Sequence, residues 1–142
     1  MKKLFVFACM FCLMLSVSSV TAGAVDSRAS LYLNSYSAYA TAIGSDEIIF
    51  EFDVTTPRTM DYVGASQIIV QVKNNSGIWA TVATYSSDDY PNFLEYTTNS
   101  HEGSVTYEGV SGNTYRAKIT VCAGNSTGSD SRTIYTKSVT AY

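Results

Sequence analysis

The chain has 142 residues, with 12 acidic residues against 9 Lys and Arg, one His and a formal net charge of -3. Its few bases are scattered, so it lacks the electrostatic footprint by which proteins hold nucleic acid or an anionic membrane, and neither partner is expected. A single histidine cannot build the usual catalytic zinc site, and no G-x-S-x-G, P-loop or His-based zinc motif occurs, so neither a metal nor another cofactor is expected.

The N-terminus reads MKKLFVFACMFCLMLSVSSVTAGAVD. Two lysines, an apolar run shorter than the roughly 20 residues of a membrane span, and the small residues Ala22, Gly23 and Ala24 describe a secretory signal peptide over residues 1–24, cleaved after Ala24. The C-x-x-C pair Cys9 and Cys12 lies inside that apolar run and leaves with it. Cleavage removes Lys2 and Lys3, keeps every acid, and leaves one domain of 118 residues, 25–142, with a net charge of -5. The expected localisation is extracellular, with no membrane tether in the mature form and a short disordered start near Val25 to Ala29.

From there nearly every apolar segment alternates with a period of two, which describes an all-β chain. Ser30 to Ala42 reads as a first strand, with Leu31 and Leu33 on one face and Tyr32 and Tyr36 on the other. Glu47 to Thr55 is the cleanest strand: Ile48, Phe50, Phe52 and Val54 point to a core, and Ile49, Glu51 and Asp53 point away. Pro57 cannot donate to a ladder, so TTPRTMDYVG reads as a loop or an edge. Ser66 to Lys73 follows, and Asn74, Asn75, Ser76 and Gly77 form a hairpin turn into Ile78 to Tyr85.

Ser86 to Gly103, SSDDYPNFLEYTTNSHEG, has no strong period and reads as a long connection, either a functional loop or a crossing between sheets. Ser104 to Glu108 is a short strand and Gly109 to Asn113 a turn. Tyr115 to Val121 is a strand with Tyr115, Ala117, Ile119 and Val121 inward. A polar loop, Gly124 to Ser129, leads to the closing strand Thr133 to Thr140. Seven short antiparallel strands at this spacing predict a single two-sheet sandwich.

Gly112 to Asn125, GNTYRAKITVCAGN, resembles strand F of the immunoglobulin and fibronectin type III superfamily. The resemblance implies a structural tyrosine, Tyr115, whose hydroxyl bonds to backbone a few residues upstream. An immunoglobulin domain would carry a disulfide cysteine where this chain has Ala117, and the tryptophan usual in strand B of fibronectin type III domains is replaced by Phe50 and Phe52. The layout as a whole is similar to small uncharacterised secreted proteins of Gram-positive gut bacteria, through Tyr90 to Leu94, His101 and the Val105 to Val110 segment, and that resemblance brings no activity.

Cys122 shares the polar parity of Arg116, Lys118 and Thr120, so it is expected to face outward or to sit at the strand end, as a tolerated small residue, a free thiol or one half of a bridge between two chains. His101, Cys122 and Arg132 follow the order of the catalytic residues of sortases, with much shorter spacing. Paired carboxylates at Asp46, Glu47 and at Asp88, Asp89 flank turns, where acids serve solvation, and calcium at Asp88 and Asp89 lacks a recognisable ligand spacing. Tyr90, Phe93 and Tyr96 interleaved with Asp88, Asp89 and Glu95, and followed by His101, suit a contact surface. Phe93 is expected in the core and at least one of Tyr90 and Tyr96 exposed. The reading that results is a non-enzymatic extracellular module binding a protein or glycan. The alternative is an assembly subunit pairing through an edge strand such as Ser30 to Ala42, and a sortase-like Cys/His enzyme ranks a distant third.

Overall fold

The computed structural model describes residues 30–142. The expected signal peptide, its cleavage after Ala24 and the start near Val25 to Ala29 lie outside the described residues. The described chain is all-β: strands β1 (Ser35–Gly44), β2 (Glu47–Lys73), β3 (Trp79–Ser86), β4 (Leu94–Glu108), β5 (Thr114–Asn125), β6 (Gly128–Tyr135) and β7 (Val139–Thr140), with one 3-10 turn at Pro91–Phe93. All pairings are antiparallel and belong to one curled seven-stranded sheet.

The organising element is β2, whose 27 residues replace the two strands and the loop expected between Glu47 and Lys73. Its first half lies between β1 and the C-terminal part of β4, and its second half between β5 and β3. Pro57 is accommodated because the register with β4 shifts between Thr55 and Met60, so Pro57, Arg58 and Thr59 bulge into solvent where no ladder bond is needed. The buried Thr56 hydroxyl ties the bulge down by donating to the carbonyl of Arg58 at 2.7 Å or of Asn99 at 3.0 Å.

The curl turns the inner faces of both halves toward each other. Ile48, Phe50, Phe52 and Val54 from the first half share one core with Val63, Ala65, Ile68 and Val70 of β2 and Tyr115, Ala117, Ile119 and Val121 of β5. Small residues on β1 make room for the rings, with Ala40 opposite Phe50 and Ala38 opposite Phe52. Each buried Phe is worth about 1.5–3 kcal/mol relative to exposure, so the shared core binds the two halves into one folding unit.

Three boundaries differ from expectation for identifiable reasons. Residues 30–34 are not strand: the Ser30 hydroxyl accepts from Leu33 N–H at 2.8 Å and Tyr32 N–H at 3.1 Å, a local turn that leaves Leu31 73% exposed and Leu33 buried. Gly124 to Ser129 is not a polar loop, because β5 and β6 pair out to Asn125 and Gly128 and Asn125 Oδ1 closes the hairpin on Thr127 N–H at 2.9 Å. The closing strand is broken at Thr136, which caps Ala117: its N–H donates to the Ala117 carbonyl and its Oγ1 accepts from Ala117 N–H, both at 2.9 Å. The Asn74 to Gly77 hairpin is formed, with Gly77 at φ +79° and Asn74 Oδ1 accepting from Ser76 and Ile78 N–H.

Candidate functional site

The Ser86 to Gly103 segment is a turn, a 3-10 turn and then the first part of β4, rather than a long loop. The sequence pattern hid this strand because it pairs across the bulge, at Met60, Tyr62 and Gly64 of β2, where neither partner keeps a clean alternation. Asp88 and Asp89 are exposed in the turn, whose N–H groups are held by Ser86: Asp89 and Tyr90 donate to its carbonyl and Asp88 to its hydroxyl. Among the described residues no group of three or more His, Cys, Asp or Glu side chains is placed to hold a metal ion.

Phe93 is fully buried, edge-on to Phe52 with centroids 6.0 Å apart. Tyr90 stacks on Phe93 at 5.3 Å and meets Tyr85 edge-on, which leaves it 38% exposed, whereas Tyr96 is 64% exposed. Glu95 is exposed opposite Val63. The His101 ring lies 5.8 Å from Phe52, and its Nε2 meets the Asn92 carbonyl at 2.9 Å. A carbonyl only accepts, so Nε2 carries the proton there. The segment is therefore tied into the core by Tyr90, Phe93 and His101, and Tyr96 with the acids is its open part.

Gly64 explains why these elements pack so closely. A Cβ there would lie 1.9 Å from the Phe93 carbonyl oxygen, and the residue sits at φ +153°, so only glycine lets β4 and its preceding turn close over β2. The rung Leu94, Gly64, Cys122 and Ser131 crosses β4, β2, β5 and β6.

On that rung Cys122 has the outward parity expected of it but is buried, which corrects its expected exposure. Tyr62, Ser66 and Leu94 rise beside it around a shallow depression. Burial pushes the thiol pKa up, partly offset by a hydrogen bond with the Ser66 backbone, the opposite of what activates a nucleophilic cysteine. His101 lines a different depression, with Asp53, Thr55, Ser100 and Glu102. Arg132 is engaged by Asp130 and by the Ser131 carbonyl.

The Tyr115 hydroxyl accepts a hydrogen bond from Val110 N–H at 2.9 Å, and its ring is buried against Tyr107. This bond closes the turn between β4 and β5.

A second arrangement escaped the sequence reading. On the outer face of the second half, the Arg116 guanidinium lies 4.3 Å from the Trp79 ring centre and 4.5 Å from that of Tyr135, and its Nε donates to Gln71 Oε1 at 2.9 Å. Trp79 opposes Lys73, Arg116 opposes Gln71, and Tyr135 opposes Lys118. Two rings and an amide hold the guanidinium in place, and its terminal N–H groups have no hydrogen-bond partner among the described residues. The residue types suit a carboxylate, or a sugar ring lying against the aromatics. The signal for this site was parity: Trp79, the one tryptophan of the chain, stands opposite Lys73 on the side of its hairpin away from the core.

The outer face of the first half has the opposite character. Glu47, Glu51 and Asp53 of β2 and Glu102 and Glu108 of β4 are exposed there, with Glu47 directly opposite Glu108 and Asp53 opposite Glu102. Their rung partners on β1, β2 and β4 include no lysine or arginine. Tyr39, 57% exposed, joins Glu51, Asp53 and Glu102 around an open depression of about 400 Å³.

No protein-family model and no curated protein matches the chain. Among solved structures, a crystal structure of a family 76 glycoside hydrolase from a bovine Bacteroides thetaiotaomicron strain is similar at TM-score 0.32 and 19% identity, over 74% of this chain and 20% of that one. The chain thus spans about a fifth of that protein's length.

Proposed function

We propose that the protein is an extracellular, non-catalytic binding module of the fibronectin type III and immunoglobulin-like sandwich class, which engages a protein or glycan partner. The sandwich class is supported by the facing halves of the sheet around one core and by the bond from Val110 N–H to the Tyr115 hydroxyl. Export is supported by the N-terminal sequence pattern. The observation that carries the binding reading is the ordered Arg116, Trp79, Tyr135 and Gln71 platform. A pre-positioned charge between aromatic rings gives up little conformational entropy when a partner arrives. Tyr96, Asp88, Asp89 and Glu95 form a subsidiary exposed patch on the neighbouring turn and strand.

The test is retention of the protein on immobilised cell-wall and mucosal extracts and on arrays of acidic and neutral glycans. Arg116→Ala and Trp79→Ala each reduce retention with the fold intact by circular dichroism, and Tyr96→Ala reduces it less. Retention unchanged in both platform variants would refute the assignment. An assembly subunit is the second reading, favoured by β1, which among the described residues is an edge strand paired only with β2 and exposes Tyr36, Tyr39 and Ile43.

A further inference from the structure

We propose that the partner of the Arg116 platform is a second copy of this chain, which docks the acidic outer face of its own first half there and so builds a head-to-tail assembly. The inference rests on the platform being the recognition surface, and it adds which partner the platform meets.

Charge complementarity carries the argument. Lys73, Arg116 and Lys118 share one outer face with Trp79 and Tyr135, and no acid occurs among their rung partners on β2, β3, β5 and β6. The other outer face carries Glu47, Glu51, Asp53, Glu102 and Glu108 with Tyr39. Spacing is commensurate, because both faces are built on the pleat of the same strand. The rungs of Lys73, Arg116 and Lys118 fall at residues 73, 71 and 69 of β2, two residues or about 7 Å apart, and the acids Glu51 and Asp53 are separated by the same step.

A cross-strand pair of like charges is unfavourable within one sheet. The first half nevertheless carries two, Glu47 with Glu108 and Asp53 with Glu102. Cations of a neighbouring copy placed beside Glu51 and Asp53 relieve the second of these pairs. The depression between Tyr39, Glu51, Asp53 and Glu102 is open to a lysine head group, and the free edge of the Arg116 guanidinium is open to a carboxylate. The inner faces meet in one core, so the two outer faces point away from each other. A contact between unlike faces of this kind leaves one face unused on each end copy and therefore propagates.

The experiment is sedimentation velocity on the protein purified after expression of the full chain, over a concentration series at low and high ionic strength. The wild type is expected to associate reversibly, about tenfold or more weakly at high salt. Glu51→Lys with Asp53→Lys removes the acidic face, and Arg116→Glu with Lys118→Glu removes the basic one. Each variant alone is expected to be monomeric. Mixed together, each still offers its intact face and the two reversed faces are themselves of opposite charge, so association is restored in the mixture. The milder pair Glu51→Gln with Asp53→Asn, checked by thermal melt, serves if a reversal variant fails to fold. A monomeric wild type at low salt, a variant that assembles like the wild type, or a mixture that stays monomeric overturns the proposal. If the wild type is monomeric yet extract or glycan retention is lost in Arg116→Ala, self-assembly is refuted and the binding platform stands.

Discussion

One strand supplies both outer faces, and the two faces could hardly differ more. Where β2 runs beside β1 and β4, its solvent-side residues are Glu47, Ile49, Glu51 and Asp53; where it runs beside β3 and β5, they are Ile69, Gln71 and Lys73. The inner sides are alike, aliphatic and aromatic throughout. A uniform core with polarised exteriors teaches that the net charge of -5 expected for the cleaved chain averages over an acidic half and a basic, aromatic half. Reading the protein as mildly acidic describes neither surface.

The comparison breaks if the halves fold independently. Phe52 belongs to the first half and packs on Phe93 and His101, so Phe52→Ala is expected to cost about 3–5 kcal/mol. Chemical denaturation should then show one transition, shifted as a whole; a second, unshifted transition would mean that the halves do not share a core. Tyr115→Phe keeps the ring and removes the bond to Val110 N–H, with an expected cost of about 1–2 kcal/mol. A loss within error in the same assay would show that the bond contributes nothing to the turn.

The faces themselves are expected to respond with opposite signs. Arg116→Ala forfeits two aromatic contacts and should destabilise by about 0.5–1 kcal/mol. Glu102→Gln removes the repulsion with Asp53 and should stabilise by a few tenths of a kcal/mol, more at low salt than at high. Equal signs in thermal melts of the two variants would contradict the polarity argued above.

Cys122 sharpens the picture at the point where the second face is covered. Burial raises its folded pKa above that of the unfolded thiol, near 8.5. Its contribution to stability is therefore fully present below that pH and is lost as pH rises toward the folded pKa. Tyr85 and Tyr107, also raised chiefly by burial, add to the loss at still higher pH. Comparing wild type with Cys122→Ala, the early part of the alkaline decline should vanish in the variant and nothing should change in how stability varies with pH below neutrality. A thiol that reacts with Ellman's reagent as fast folded as in urea would contradict its burial.

The alternation of Glu47 to Thr55 and of Tyr115 to Val121 made both core faces legible, because each strand has one dry and one wet side throughout. The joining of residues 47–73 into one strand was not legible, since Pro57 ordinarily ends a ladder and only the shift opposite β4 lets it remain. The early part of β4 was missed for a related reason: Leu94, Tyr96 and Thr98 pair across that irregularity, and Tyr96 is exposed on a strand. Cys122 kept its parity but not its exposure, because cover comes from Leu94 and Tyr62, distant in sequence. The platform was half visible in the parity shared by Arg116 and Lys118; what gathers Trp79 and Tyr135 around Arg116 is strand order, which pattern alone does not supply.

The central claim is that recognition takes place on the two polarised outer faces rather than at the turn or the strand edges. Amide chemical shifts of the uniformly nitrogen-15-labelled protein, followed as concentration rises at low ionic strength, test it most directly. The account predicts shifts confined to residues around Gln71, Arg116 and Lys118 and around Glu51, Asp53 and Glu102, reversed by added salt. Shifts concentrated along Ser35–Gly44 apart from Tyr39, or in the Asp88 to Tyr96 segment, with both faces silent, would contradict it.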